Sequence, residues 1–441
     1  MFSKSDLRKL IIPLIIEQTL AISVGMIDTF MVTSAGEAAV SGVSLVDTIN
    51  VLIINIFAAI ATGGAIVVGQ YLGAKNKAQA KHAARQLMVT TFLISLFIGL
   101  ICLGLNNVIL HLFFGEVTVD VMQQARIYFY ITAISFPFIA LYNSAAALFR
   151  SSGDSQTAMK TSLVMNVVNI IGNALFIYGF HLGVIGAAIS TLISRIFAAC
   201  FMLWLLKNPQ LDIRVTNYSP HGLDFSMVKQ IMQIGLPNGV ENSMFQVGKI
   251  ILTRLMIIHG TAAIAGNAVA SSLMSVEVIP GTAIGFAMLT VVSQCVGAKE
   301  LEQARSYTKK LLVLSYIGLA CLNIPVLFGL KTLLGFYNLS IDAATIATHI
   351  LLVHGVSAFI LFTPSFTLAN AFRAAGDVKY PMWVSIFSMF VFRIGAAYFF
   401  TYVLKLGPVS IWLGMSVDWL VRSALFVIRF INGKWLQFVN R

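Results

Sequence analysis

Charge is what this 441-residue chain has least of: 10% of its residues are Asp, Glu, Lys or Arg, against 58% hydrophobic, whereas a soluble domain is roughly one-quarter charged. So few charges would leave a soluble globule of this length uncovered, and the mean hydropathy of +0.88 agrees. Disulfide and metal spacings are also missing. The four cysteines, Cys102, Cys200, Cys295 and Cys321, form no CxxC and read as small apolar packing residues within hydrophobic runs. The seven histidines, His82, His111, His181, His221, His259, His349 and His354, include no HExxH, and there is no GxxxxGK[ST] phosphate loop. These absences argue against a membrane-embedded enzyme and against ATP-driven work by this chain, so no catalytic residue is assigned. No repeated filter-like loop suggests a channel.

What the sequence does contain is a succession of apolar runs of twenty residues and more, each long enough to cross a hydrocarbon core of about 30 Å as a helix. Read as spans they cover about 10–32, 46–71, 87–113, 122–148, 160–180, 184–206, 228–258, 264–295, 310–333, 345–371, 382–404 and 408–431. The first run follows Lys4, Arg8 and Lys9, but it is too long for a signal peptide and no small-residue cleavage site ends it.

The net charge of +12 follows the same map. Lys75, Lys77, Lys81 and Arg85, then Arg150 and Lys160, Lys207 and Arg214, Lys299, Arg305, Lys309 and Lys310, Arg373 and Lys379, and Lys434 and Arg441 fall on the side of the N-terminal Lys4, Arg8 and Lys9. The opposite loops keep only Arg126, Lys331 and Lys405, near helix ends. Because cytoplasmic loops collect Lys and Arg, both termini are expected in the cytoplasm, with the chain multi-pass in the cell (inner) membrane. The basic excess is then topology signalling, and nucleic acid is not an expected partner.

The sequence also repeats itself. Shifted by 224 residues, Pro13 and Glu17 fall on Pro237 and Glu241, Gly36 on Gly260, and Gly69-Gln70-Tyr71-Leu72-Gly73-Ala74-Lys75 on Ser293-Gln294-Cys295-Val296-Gly297-Ala298-Lys299. With a shift of 223, Phe149-Arg150-Ser151-Ser152-Gly153-Asp154 falls on Phe372-Arg373-Ala374-Ala375-Gly376-Asp377. Six spans have therefore been duplicated. The expected architecture is an all-α integral membrane protein of twelve transmembrane helices in two six-helix bundles, related by a pseudo-two-fold axis along the membrane normal. Its parts would be an N-terminal lobe over 1–206, a cytoplasmic linker over 207–229 and a C-terminal lobe over 230–441, with Pro209 and Pro220 breaking any continuous helix in the linker. Parallel repeats of this kind are a transporter architecture, with the substrate path expected between the lobes near the midplane.

Polar residues inside the spans are costly and so are candidates for function. Asp28 lies in the apolar body of the first span, where one carboxylate can hold either a proton or a cation; the other reading is a carboxylate satisfied by neighbouring hydroxyls. Glu17 sits eleven residues earlier on nearly the same face. It and its repeat mate Glu241 either serve the substrate cavity or make structural contacts, by accepting helix-end hydrogen bonds or by pairing with a basic residue such as Lys249. Asn166, Asn169 and Asn173 line one face of the fifth span, and can ligate a cation or bind another helix. Gln246 and Lys249, one turn apart in the seventh span, are further cavity candidates. Arg393 and Asp418, near the middles of the last two spans, are expected to pair, and a charge-swapped double variant would then still fold. Arg393 corresponds by the repeat to Ile170, beside the Asn face, so its fixed guanidinium is expected where the first lobe admits a mobile cation; simple helix glue is the other reading. Asp154 and Asp377 are expected to cap helices and pair locally with Arg150 and Arg373. The 32 Phe and 17 Met read as lipid-facing or core residues, a minority being able to line a cleft for varied ligands.

Taken together, the chain resembles the multidrug and toxic compound extrusion (MATE) family, within the wider group of multidrug, oligosaccharidyl-lipid and polysaccharide exporters. The resemblance runs over essentially the whole chain. It is carried by Gly25-Met26-Ile27-Asp28-Thr29, the Gln-x-x-Gly-Ala-Lys segment after the second span, both Arg-x-x-Gly-Asp loops, the Asn166–Asn173 segment and Gly186-Ala187-Ala188-Ile189-Ser190-Thr191. It implies a coupling-cation site at Asp28, Asn169, Asn173 and Thr191, for H+ or Na+ and with no other cofactor. Asn173 stands where the family often has Asp, which implies weaker sodium affinity or proton coupling. The resemblance also keeps Asp377 as an outside candidate for a transport role. The implied function is export of small amphipathic, often cationic, organic compounds by cation-coupled alternating access, from a monomer in the lipid bilayer. The alternatives are a flippase for a lipid-linked intermediate, whose cleft should carry several cations of which only Lys249 and Arg254 are evident, and, behind it, a membrane-embedded enzyme.

Overall fold

The computed structural model describes residues 1–115, 117–218, 222–337 and 339–438; Pro220, His221 and Arg441 lie outside the described residues. The described chain is helical and contains no strand. The first half runs α1 (Lys4–Thr33), α2 (Glu37–Gly73), α3 (Lys77–Gly104), α4 (Asn106–Phe114), α5 (Val119–Ile134), α6 (Phe136–Ser151), α7 (Ser155–Asn173) and α8 (Gly183–Leu205). The second runs α9 (Phe225–Ile257), α10 (Thr261–Glu277), α11 (Ile279–Gly297), α12 (Leu301–Phe328), α13 (Leu330–Gly335), α14 (Ile341–Ser357), α15 (Leu368–Ala374), α16 (Lys379–Phe387), α17 (Gly395–Tyr402) and α18 (Ser410–Ile431). Wide, π-helical turns over Ala174–Gly179, Ala358–Thr367 and Ser388–Ile394 continue α7, join α14 to α15, and join α16 to α17.

Duplication is visible in the helix ends themselves. With the 224-residue offset, the bounds of α2 coincide with the start of α10 and the end of α11, and those of α3 with α12. Unusual backbone angles recur as well: Lys75 and Lys299 both hold left-handed φ angles, 57° and 61°, at the ends of the two Gly-Ala-Lys segments, and Gly36 and Gly260 both enter helices at positive φ. A non-glycine residue at positive φ is uncommon, so its return at the repeat-related position argues for one inherited turn.

Among the described residues, ten helices are long and apolar enough to cross a membrane, and eleven when α5 and α6, bent by 49° to one another, count as one span. The remaining long segment, α9, has 33 residues, about 50 Å of helix, and carries Glu241, Lys249 and Arg254 along it. Several helices overrun their apolar runs: α3 begins at Lys77, ten residues before the hydrophobic stretch. Hydropathy marks the lipid-embedded part of a helix, whereas backbone hydrogen bonding carries the helix on into water.

Large apolar side chains cover the outside, with Phe328 and Ile341 almost fully exposed, while small hydroxyls meet inside. Ser144 Oγ donates to Thr91 Oγ1 at 3.1 Å, Ser365 and Ser423 share a hydrogen bond of 2.8 Å, and Thr401 and Ser410 one of 2.6 Å. Small polar contacts of this type hold helices together where lipid removes the hydrophobic drive to associate. Of the cysteines, all four are free thiols. Cys102 and Cys295 are packed as expected; Cys200 and Cys321 are exposed instead.

The chain divides into two compact units, Lys4–Gly239, and Val240–Arg441 with Met1–Ser3; the division falls inside α9. In the first unit the early turns of α9 lie directly on α2: a Cβ on Gly63 would stand 2.6 Å from the Gly235 nitrogen. The segment after α8 also belongs to this unit and folds back on the start of α3. Lys77 pairs with Asp212 at 2.8 Å, and Gln86 Nε2 donates to the Gly222 carbonyl at 3.0 Å.

Candidate functional site

Five helices of the first unit converge on a cavity of about 160 Å³ whose wall includes Asp28, Asp47, Tyr128, Asn173, Thr191 and Arg195. Two glycines let α7 and α8 approach closely enough to build it. A Cβ on Gly172 would meet Ser190 Oγ at 2.5 Å, and one on Gly186 would meet the Phe176 carbonyl carbon at 2.8 Å. Ser190 Oγ donates to the Asn169 carbonyl at 2.6 Å. A few residues further on, the helix widens into its π turn, a feature often found at functional sites.

Asp28 is the centre of this arrangement. Asn173 Nδ2 donates to its Oδ1 at 2.7 Å. The Asn169 amide, with its nitrogen toward the carboxylate, donates to Oδ1 at 2.6 Å and Oδ2 at 3.2 Å, and its other end then lies beside Thr191 Oγ1, 3.4 Å away. The structure thus brings together Asp28, Asn169, Asn173 and Thr191. An amide turned through 180° offers its carbonyl in place of its N–H, so the same four residues can surround either a carboxylate alone or a carboxylate holding a cation.

Two charged residues of the cavity did not stand out in the sequence. Asp47, near the apolar start of the second span, is accessible from the cavity and accepts from Asn50 Nδ2 at 3.3 Å. Arg195, in the middle of the sixth span, donates to Ser135 Oγ at 2.7 Å. With both acids ionised, the wall holds two carboxylates against one guanidinium. Asn166 is buried on the same face of α7, one turn before Asn169.

Glu17 and Glu241 serve a different purpose. Arg150 Nη1 donates to Glu17 Oε1 at 2.9 Å, and Arg373 Nη2 to Glu241 Oε2 at 2.7 Å, all four side chains largely buried. The partners are the arginines of the two Arg-x-x-Gly-Asp loops, and Lys249 is not involved. Asp154 caps α7 as expected, accepting from the Thr157 N–H at 3.1 Å. Asp377 does not cap α16, which Val378 precedes. It pairs with Arg429 at 2.8 Å, because Arg373 is already committed to Glu241. Outside the spans, burial pushes the Asp377 carboxyl up from its ordinary range, against the pull of Arg429.

In the second unit, Asp418 is fully buried and held by Ser388 Oγ at 2.6 Å and by Arg422 Nη2 at 3.1 and 3.2 Å. Arg393 approaches it at 3.8 Å, so the expected pair is a triad in which Arg422 is the nearer cation. Arg393 lines a cavity of about 470 Å³ with Phe245, Lys249, His354, Trp412 and Trp419; Gln246 is not on its wall. Behind His354, Glu277 Oε2 lies 2.7 Å from its Nδ1, both groups buried. Among the described residues no cluster of His, Cys, Asp and Glu could hold a metal by three or more ligands.

The sequence model of the MatE family matches residues 13–175 and again 237–399, one copy on each half of the chain. The chain belongs to the MatE family. Among its relatives, the uncharacterized transporter YisQ of Bacillus subtilis strain 168 is 27% identical over 96% of this chain and 93% of its own length. A probable multidrug resistance protein NorM of Thermotoga maritima is 25% identical over 98% of the chain and 93% of its own. The fold is shared with solved structures at lower identity. A MATE crystallised with MaL6 gives a TM-score of 0.92 at 18% identity, covering 99% of this chain and 97% of that one. A transporter of the MOP superfamily from Pyrococcus furiosus, described as having a binding pocket of reverse polarity, gives 0.91 at 19% over the same shares.

The double match explains the geometry of this MatE chain. Each half inherited the same turns and the same Glu–Arg pair, and the halves then diverged in the interior. Where the first carries Asp28 with its amides, the second carries Arg393 and Lys249. A multi-pass membrane transporter is the coarse functional statement that family membership supports.

Proposed function

We propose that this protein is a secondary active antiporter that exports small amphipathic organic compounds in exchange for H+ or Na+ by alternating access. In this reading it acts as a monomer in the cell (inner) membrane, with both termini in the cytoplasm and no cofactor beyond the coupling ion. The observation that carries it is the Asp28 cavity. A carboxylate set in an apolar helix, surrounded by two reversible amides and a hydroxyl and accompanied by Asp47, suits a site that trades one small cation for another. At about 160 Å³ the cavity is too small for a drug-sized molecule, which needs some 300 Å³ or more. Ion and cargo therefore have separate sites, and coupling belongs to the first unit.

A flippase for a lipid-linked intermediate is the second reading, favoured by Lys249 and Arg393 on one cavity wall. Efflux from proteoliposomes under separately imposed proton and sodium gradients tests the antiport reading, with Asp28→Asn beside the parent. The parent should respond to one of the two gradients and the folded variant to neither. A variant that transports as well as the parent would remove Asp28 from coupling.

A further inference from the structure

We propose that the cavity of about 470 Å³ inside the second unit is a binding site for an amphipathic organic anion, a carboxylate or sulfonate on an aromatic or branched apolar body. The proposal deepens the export reading by naming a class of cargo, and it rests on that reading for the step from binding to export. It departs from the often cationic cargo that the family resemblance implies.

Charge is the first argument. Lys249 and Arg393 face this cavity, and no Asp or Glu is on its wall. Of the two carboxylates behind the wall, Asp418 is engaged by Ser388 and Arg422, and Glu277 meets His354 through Oε2 while its buried Oε1 has no partner. Two arginines share the single charge of Asp418, so the triad keeps a positive charge in excess before Lys249 is counted.

Hydrogen bonding gives an independent argument. Lys249 is accessible, and among the described residues its ammonium has no ion-pair partner, while Arg393 shares the cavity wall with it. Arg393 Nε and Trp419 Nε1 are buried without an acceptor. An ammonium, a guanidinium N–H and an indole N–H can only donate, and a buried donor left unmade is costly. The Lys249 ammonium on the wall, with the Arg393 guanidinium beside it, forms a donor set that an oxyanion completes and a cation leaves worse off.

The remaining wall suits the rest of such a molecule. Phe245, Phe362, Phe366, Trp412 and Trp419 present aromatic faces, and the Arg393 guanidinium lies 5.5 Å from the Phe245 ring, which holds it while leaving its edge for a ligand. The volume falls in the range of small-molecule sites, about 300–1,000 Å³. A coupling cation at the acidic cavity and an anion at the basic one do not compete for the same groups.

The test uses two probes with one apolar body and opposite charge, 4-hexylbenzoate and 4-hexylbenzylammonium, titrated calorimetrically into the full chain in nanodiscs of zwitterionic lipid. The parent should bind the benzoate at least about ten-fold more tightly than the ammonium, the worth of one charge-assisted hydrogen bond. Lys249→Gln should erase most of that preference and Lys249→Glu should reverse it; Lys249 is accessible and unpaired, so neither change opens a buried ion pair. Tighter binding of the ammonium by the parent, binding of neither probe, or an unchanged ratio in Lys249→Glu would each overturn the proposal. In a further arm a short-chain phosphatidate competes with the benzoate. Weaker binding than the benzoate supports a small-molecule anion, whereas tighter displacement gives the cavity to lipid headgroups and overturns it. Asp28→Asn should bind the benzoate as the parent does. Loss of driven efflux there, or its retention, therefore judges the antiport reading without touching the anion site.

Discussion

Arg150 and Glu17 meet at 2.9 Å between α6 and α1, and Arg373 and Glu241 repeat that contact at 2.7 Å half a chain later. In each half an arginine in the last turn of a helix, α6 or α15, closes on a glutamate one turn beyond the proline of the first helix, Pro13 or Pro237. Removing one member of a buried pair strands the other charge, at a cost of about 3–5 kcal/mol. Glu17→Gln and Arg150→Met should therefore each lower the thermal unfolding temperature of the purified protein sharply. The double variant should recover part of the loss, since no charge is then left alone. Two single variants as stable as the parent would make the contact incidental.

Asp418 allows a sharper test than simple pairing with Arg393 would. Because Arg422 holds it at 3.1 Å and Arg393 stands off at 3.8 Å, exchanging Arg393 and Asp418 would set a new arginine one helical turn from Arg422. That like-charge contact in a buried setting should prevent the charge-swapped double variant from folding. Arg393→Met alone leaves Asp418 its nearer partner and should be purified in good yield. Size-exclusion profiles of the two variants decide the matter, and a monodisperse double variant would show that Arg422 is not the dominant partner.

The repeat and the helical class were legible because each leaves a trace along the chain, in offset identities and apolar runs; spacing by three and four showed only an amide face on the fifth span, and its grouping with Asp28 and Thr191 came from the family resemblance. Asp47 was not, since it stands near the start of an apolar run where a single charge reads as a helix end, yet α2 begins ten residues earlier at Glu37. Arg195 and Glu277 were overlooked for a related reason. Their partners, Ser135 and His354, are 60 and 77 residues away, and no periodicity joins them. The redirected pairing of Arg373 from Asp377 to Glu241 has the same origin, because proximity in sequence favoured the aspartate and only packing could choose the glutamate.

At the cytoplasm-facing side expected from the basic loops, Asp224 starts α9. It accepts from the Ser226 and Met227 N–H groups at 2.9 and 3.2 Å and meets His82 Nε2 at 3.0 Å. The hydrogen bond to His82, then those from the backbone, hold its carboxyl below the ordinary carboxylate range. A carboxyl depressed by folding contributes stability above its unfolded pKa, and that contribution is lost as pH falls through the folded value. Asp224→Ala should speed hydrogen exchange at the first turn of α9 at neutral pH. Acidification below the normal carboxylate range should bring the parent toward the variant. Equal exchange in both proteins at neutral pH would deny the aspartate its capping role.

The balance of charge around Asp28 leads to the last prediction. With Asp28 and Asp47 ionised, the first-unit cavity carries two negative charges against the one positive charge of Arg195, and under the proposed antiport that excess would attract the coupling cation. Asp47→Asn removes the excess without touching the two amide contacts to Asp28. Cation affinity, measured by calorimetric titration of sodium or by the pH at which sodium ceases to compete, should fall by about ten-fold or more, as expected when one unit charge a few ångströms away is lost from a partly shielded site. Arg195→Gln should act in the opposite sense and tighten binding, provided Ser135 can still be satisfied by the new amide. If both variants weakened binding equally, Arg195 would be a scaffold for the cavity and the charge argument would fail. If neither changed it, the cation would be held by Asp28 and its amides alone, and Asp47 would have no part in coupling.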